Sequence, residues 1–435
     1  MRDVDRRSRR VENWRCRHSG GGGRWVSAAI LEGVRVLEVA DGVAGPFCAK
    51  LLAEYGAEVV KIEKPDFDSM SERQWAGQRA ASPTSAEDAA FFLHLNSDKK
   101  SVALDLESEP GQATFRDLAA KCNVVVESLR PGHMASLGIG YQDLRDLTPG
   151  LVMTSVTPFG QTGPYRDYQY TELTVFAMGG GMAREGIPER HPLMYGGEIA
   201  GYFAGTAAAA VTVAACVGAL MTGHGDWIDV SIMECMAGHP HQIGRRAPFA
   251  YNGELDPRQE PRTSAAGGRE PYAVGTFRCK DGHMSFLPLG PRMWPNIARM
   301  IGRPELTQDT RFIAPEDRVK NRVELEAVFQ EWLDRHTRAE VFQAANEEGI
   351  PGGPVLTPPE IMADEHFIDR RFFRQVAHPD YGTLTYPGQP FKLSDAQEID
   401  AVVAPGLGHH TRAVLSDVLG MNGSEIADLR NRGVI

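Results

Sequence analysis

From residue 33 the apolar positions fall into short runs separated by stretches of helical spacing. Residues 34–40 form one such run and predict a buried strand. Residues 46–55 then read as a helix with Pro46 in its first turn. Residues 58–63 predict a second strand, 101–106 a third, and 112–121 a helix. Residues 123–127 and 151–157 predict two more strands. Strands that alternate with helices imply an α/β fold, a Rossmann-like parallel sheet with helices on both faces.

The pattern changes at about residue 240. Residues 257–269 are rich in Gly, Pro and Arg. Strands are expected near 272–277 and 284–287, and helices near 295–301 and 323–336. This region reads as an inserted, smaller α+β domain. The chain is accordingly divided into a basic extension (1–28), a first part of the large domain (29–235), the small domain with its linkers (236–345), and the rest of the large domain (346–435). The last segment ends in a helical pattern at 412–419.

Residues 199–223 contain no charged side chain and are long enough to span a bilayer. They consist mainly of Ala, Gly, Thr and Val, whereas insertion favours large apolar side chains. The expectation is a helix buried inside a protein, where small residues let neighbouring backbones approach, and no membrane span.

Charge sharpens the picture at the amino end. Residues 1–24 hold eight Arg and three acids, a net of +5; with −11 overall, this leaves −16 on the remainder. The head ends in a run of Gly, has no apolar period, and reads as a disordered extension without a secretory signal. An acidic body argues against a nucleic-acid partner. Six widely spaced Cys with no CxxC pair argue against a disulfide scaffold or zinc ribbon. They fit a reducing, cytoplasmic setting.

In open parallel sheets ligands bind beyond the carboxyl ends of the strands. Four such ends carry suitable residues: 41–46, 63–65, 96–100 with Leu104, and 127–132. Together they offer glycine amides, Lys64, Lys99, Lys100 and Arg130 to a phosphorylated, adenine-type cofactor. Neither GxGxxG nor GxxxxGK[ST] is present, so NAD and ATP readings lose their main support. Two acids stand out. Glu198 follows Gly196-Gly197 at the start of the apolar helix, where the helix dipole favours a carboxylate. Glu172 reads as a supporting acid. His239 and His241 have metal-like spacing but no partner at a helical offset, so no metal is expected.

These residues resemble the class III CoA-transferases, the group of carnitine-type and formyl-CoA transferases. The likeness runs through LEGVRVLEVADGVAGPFCAKLLAEYGAEVVKIEKP (31–65), LNSDKKSVALDL (95–106), VVVESLRPGHMASLGIGY (124–141) and SVTPFGQTGPY (155–165). It continues in GGEIAGYFAGTAAAAVTVAACVGAL (196–220), GHGDWIDVSIMECM (223–236), EEGIPGGPVLTPPEIMADEHF (347–367) and the tail 407–435.

The resemblance implies a large domain built from both chain ends, an inserted small domain, and an interlocked homodimer. It implies coenzyme A as substrate, no metal, and a small carboxylic acid as acceptor. By motif position the CoA contacts would be Val43, Ala44, Lys64, Leu104, Ser128, Leu129 and Arg130. A glycine loop that shields the intermediate would be Ala265-Ala266-Gly267-Gly268, with Gly197 and Glu172 in support. The family nucleophile is an Asp; here its position is Glu198, one methylene longer. Ser136 and Gln169 stand where many relatives carry a basic residue.

The activity implied is transfer of CoA from an acyl-CoA to an acid through a covalent carboxylate intermediate. Two other readings share the fold. An α-methylacyl-CoA racemase would need an acid/base pair, and the segment at Thr171-Glu172 lacks the adjacent His. A CoA-binding protein without transferase activity would be accommodated by the altered nucleophile.

Overall fold

The computed structural model describes residues 29–66, 86–186, 188–238, 249–253, 273–288, 290, 293–395 and 399–435. The expected extension, the glycine loop at Gly267 and Gly268, and His239 and His241 lie outside these residues. The chain divides into two compact units. One comprises the described residues of Met1–Gly181, Met194–Gly244 and Arg371–Ile435; the other comprises those of Met182–Leu193 and Arg245–Arg370.

The first unit is organised by six strands: β1 (Arg35–Val39), β2 (Glu58–Glu63), β3 (Lys99–Ala103), β4 (Val124–Glu127), β5 (Val152–Thr157) and β6 (Trp227–Ser231). They pair in the order β3-β2-β1-β4-β5-β6, all parallel. The order reverses between β1 and β4, the place where a doubly wound sheet opens a crevice for ligand. Strands β4 and β5 are buried along their whole length, as their apolar runs foretell. Strand β6 has only its last two residues buried; it lacks an apolar run, and periodicity therefore does not reveal it.

Helix α1 (Ala44–Glu54) follows β1 with Pro46 in its first turn. Helices α2 (Ala86–Leu95), α3 (Glu109–Ala119), α4 (Tyr141–Leu147), α5 (Glu172–Met178) and α6 (Ile199–Thr222) follow along the chain. One face of the sheet packs Leu37, Val60, Val125 and Met153 against Phe115 and Leu118 of α3. The same core takes Val414 and Leu415 from α7 (Thr411–Leu419) and Ile426 and Leu429 from α8 (Gly423–Asn431). Chain segments more than 300 residues apart thus share one core, as the hydrogen bond from the Ala103 amide to Thr411 Oγ1 (3.0 Å) illustrates.

Helix α6 lies across α1. A Cβ on Gly201 would come within 2.9 Å of Val43 Cβ, and one on Gly205 within 2.6 Å of the Ala44 carbonyl oxygen. The two glycines are one turn apart, and their missing side chains let the helices touch. Deeper in, Thr212 of α6 bonds Thr154 of β5 at 2.7 Å. Burial is one-sided, however. Ala200, Gly201, Ala204, Gly205 and Ala208 are covered, while Val211, Val217, Leu220 and Met221 are exposed. The face that is covered is the small-residue face, where the backbones approach closely as expected. Among the described residues, α6 is the one helix long and apolar enough to cross a membrane.

The second unit contains a three-stranded sheet, β7 (Gly275–Cys279), β8 (Gly282–Phe286) and β9 (Gly352–Pro354), paired antiparallel. Its core centres on Phe277, Phe286 and Phe329, whose rings meet edge to face at 5.1–6.1 Å.

Candidate active site

A cleft of about 830 Å³ opens at the carboxyl ends of β1 to β5. Its wall includes Asp41 after β1, Lys64 after β2, Leu104 after β3, the turn Ser128-Leu129-Arg130-Pro131 after β4, and the loop from Arg166 to Thr171. Five of the seven expected CoA contacts therefore come together: Lys64, Leu104, Ser128, Leu129 and Arg130. Lys64 and Arg130 are exposed, Ser128 and Leu129 half-buried, and Leu104 buried. Val43 and Ala44 do not line the cleft. They are buried where Gly201 of α6 presses on the start of α1.

Two other lysines are removed from the cleft. Lys99 is buried, with its ammonium 2.7 Å from Glu38 and bonded to the Pro46 carbonyl (2.9 Å) and Asn96 Oδ1 (3.1 Å). Lys100 pairs with Glu58, the first residue of β2, at 2.7 Å. Their expected role at a ligand is corrected to a structural one. Sequence reasoning also missed a cation. Arg166 lines the cleft and donates from Nη2 to the Pro131 carbonyl (3.4 Å), one residue beyond Arg130, while Nε lies 3.3 Å from Asp167. Gln169, three residues after Arg166, lines the same cleft. Ser136 bonds only its own turn, donating to the His133 carbonyl (2.7 Å).

The cleft wall ends at Thr171, the N-cap of α5, whose hydroxyl accepts from the Thr174 amide. The next residue is Glu172. Its carboxylate reaches across to α6 and accepts from the amides of Ala200 (2.6 Å) and Gly201 (3.3 Å). Glu172 thus caps the helix that follows Glu198. Glu198 occupies the N-cap position itself but makes no capping bond with its side chain. The amides at the start of α6, expected to hold Glu198, hold Glu172 instead. Gly196 and Gly197 have open space where side chains would be, and Gly197 has φ +79°.

Electrostatics follow from this geometry. Burial pushes both carboxyls up. The two amides, and a hydrogen bond from Glu198, pull Glu172 back toward the ionised form. Glu198 has no such donors. Burial, then the charge of Glu172 and the hydrogen bond to it, raise Glu198 to about 7. Of the two carboxyls, Glu198 is the one raised by its neighbour's charge, and Glu172 the one held toward the ionised form by amides. Near neutral pH Glu198 loses its proton readily, and the resulting carboxylate is less stabilised by its surroundings than Glu172. Tyr202, one turn further on, is held in place by the edge of Phe47 at 4.8 Å, and its phenol is pushed up to about 12.

The switch point of a doubly wound sheet thus carries a ligand-sized cleft, and the residue after its last wall residue, Glu172, meets Glu198 at the start of α6. Comparison with known proteins identifies the family. Residues 31–411 match CoA-transferase family III, and the chain belongs to that family. It is similar to the formyl-CoA:oxalate CoA-transferase of Streptomyces avermitilis, 31% identical over 417 residues, covering 93% of this chain and 99% of the relative. It is also similar to the succinyl-CoA–D-citramalate CoA-transferase of Chloroflexus aurantiacus, 32% identical over 409 residues, covering 93% and 98%. A CaiB/BaiF family protein from Brucella suis has the same fold, with a TM-score of 0.77 and 26% identity, covering 90% of this chain and all of that one.

Proposed function

We propose that this CoA-transferase moves coenzyme A from an acyl-CoA to a carboxylic acid, with Glu198 as the covalent nucleophile. The observation that carries the reading is the division of the carboxyl pair: Glu172 is occupied by two helix amides, and Glu198 is not.

The Glu198 carboxylate attacks the thioester carbonyl and expels CoA thiolate, giving a mixed anhydride. The thiolate then attacks the Glu198 carbonyl, releasing the donor acid and leaving a glutamyl-CoA thioester. The acceptor carboxylate attacks that thioester, forming a second anhydride and freeing thiolate again. Thiolate attack on the acceptor's carbonyl produces the new acyl-CoA and restores Glu198. Each step exchanges one leaving group for one nucleophile, so a difficult transfer becomes a series of easier ones. No step requires a metal. Glu172 keeps its charge throughout and fixes the first turn of α6, which sets where Glu198 sits. Gly197 is proposed to leave room for the intermediate, and Gly267 with Gly268 to shield it, as in the family the chain belongs to.

CoA occupies the cleft at the strand ends, against Lys64, Leu104, Ser128, Leu129 and Arg130. Arg130→Ala is expected to raise the KM for acyl-CoA by ~10–100-fold, the range for losing a charge-assisted hydrogen bond, with a much smaller effect on kcat. Steady-state kinetics against donor concentration checks this. The enzyme is proposed to act as a cytoplasmic homodimer of interlocked subunits; the exposed apolar side of α6 supports a second copy as its cover.

The deciding experiment is intact-mass analysis of protein incubated with acyl-CoA and trapped with hydroxylamine or borohydride. A mass change mapping to Glu198 is expected. Turnover with Glu198 unmodified would overturn the mechanism.

A further inference from the structure

The turn that presents Ser128, Leu129 and Arg130 to the cleft is anchored from behind. Register places Val39 and Glu127, the last residues of β1 and β4, in one cross-strand row with Ser155 within β5 and Asp229 within β6. Three polar side chains on adjacent strands are thus brought level with the cleft floor. Glu127 is 3% exposed and does not line the cleft. One of its carboxylate oxygens, Oε2, accepts from the Leu129 amide at 2.8 Å. The other, Oε1, accepts from Gln161 Nε2 at 3.3 Å. The backbone N–H of Gln161 donates to both Asp229 oxygens at 3.0 Å. Ser155 also hydrogen-bonds Glu127 and accepts from Trp227 Nε1 at 2.9 Å. A buried acid at this depth is costly unless donors are turned toward it. Here three donors on three chain segments converge on one carboxyl.

We propose that Glu127 is a positioning residue for coenzyme A: through the Leu129 amide it holds the Ser128–Arg130 turn in its binding geometry, with Gln161 and Asp229 as its brace. The inference rests on CoA occupying this cleft. Burial raises the Glu127 carboxyl to about 7, with Asp229 of β6 adding to the rise while Ser155 and the Leu129 amide oppose it. On β1 the row offers only Val39. An apolar side chain could not accept from the Leu129 amide, so the acid at this position serves the turn it holds.

Glu127→Gln keeps the shape but places an amide group among the donors. Gln161→Met removes the brace from a residue that is itself absent from the cleft wall. The test titrates free CoA into wild type and both variants by calorimetry and measures kcat and KM for acyl-CoA. Expected is a ~10-fold weaker CoA affinity and a matching rise in KM in both variants, with kcat changed less than about threefold. Circular dichroism confirms that each variant is folded; if Glu127→Gln fails to fold, Gln161→Met carries the test. Unchanged CoA affinity in a folded variant overturns the proposal, as does a fall in kcat with KM unmoved. If wild type transfers CoA but binds it independently of Arg130, the cleft assignment fails first, and the positioning role fails with it.

Discussion

Glu198→Gln is expected to lower kcat by at least ~10³-fold, because an amide cannot form the anhydride on which every later step depends. The residual rate should be insensitive to the acceptor acid, and no covalent adduct should be trapped. The pH dependence gives a second, independent readout. Glu198 must be ionised to attack, and burial beside Glu172 raises it to about 7. The fraction of carboxylate therefore grows as pH rises through about 7, and kcat/KM should climb with it, whereas an unperturbed carboxyl would already be fully ionised. Glu172→Gln removes the like charge that contributes to the rise, so the acid limb should move to lower pH. The same change weakens the cap on α6, and some loss of kcat should accompany the shift. Rate profiles between pH 5 and 9 (about the stable range for most folded proteins) separate these outcomes. An acid limb that ignores Glu172 would show that the charge of Glu172 does not raise Glu198.

The Glu198 case also marks where sequence reading stops. The alternation of apolar runs and helical stretches located five of the six sheet strands, and the ends of those strands located the cleft. Both depend on local patterns that burial imposes directly. Strand β6 was illegible because its Trp227-Ile228-Asp229 portion is largely uncovered and shows no apolar run. Lys99 was misread for the opposite reason. Its charge looked like a ligand contact, and nothing local discloses that Glu38, 61 positions earlier, takes it at 2.7 Å. Glu198 and Glu172 were both legible as acids near a helix start. Which of them the helix amides would hold was decided by the crossing of α5 and α6, a tertiary fact. Arg166 had no signal apart from its nearness to Gln169, and only the fold brings it to the Pro131 carbonyl.

The largest expected effect on stability lies behind the cleft, at Glu38. This carboxylate is 0% exposed. Lys61 meets one oxygen at 2.9 Å and Lys99 the other at 2.7 Å. Each ammonium then bonds a carbonyl of the turn that starts α1, Lys61 to Ala40 (2.6 Å) and Lys99 to Pro46 (2.9 Å). Glu38→Gln should destabilise the protein by about 3–5 kcal/mol, since breaking a buried pair leaves uncompensated charge. That is a large part of the ~5–15 kcal/mol typical of a whole domain. Lys99→Met should cost less, because Glu38 keeps Lys61, and the lysine removed is one whose burial already holds it down at about 8. The sign of the pH effect follows. Lys99 binds its proton less tightly folded than unfolded, so wild-type stability should rise with pH from about 8 toward the usual lysine value near 10.4. Lys99→Met should abolish that rise. Denaturant unfolding at pH 8 and pH 10 measures both the difference between variants and its slope. Equal losses for the two substitutions would mean that Glu38 is not the hub of the network. A loss of CoA affinity in folded Lys99→Met would link the network to ligand binding, since Pro46 follows Val43 and Ala44 in the turn that Lys99 secures.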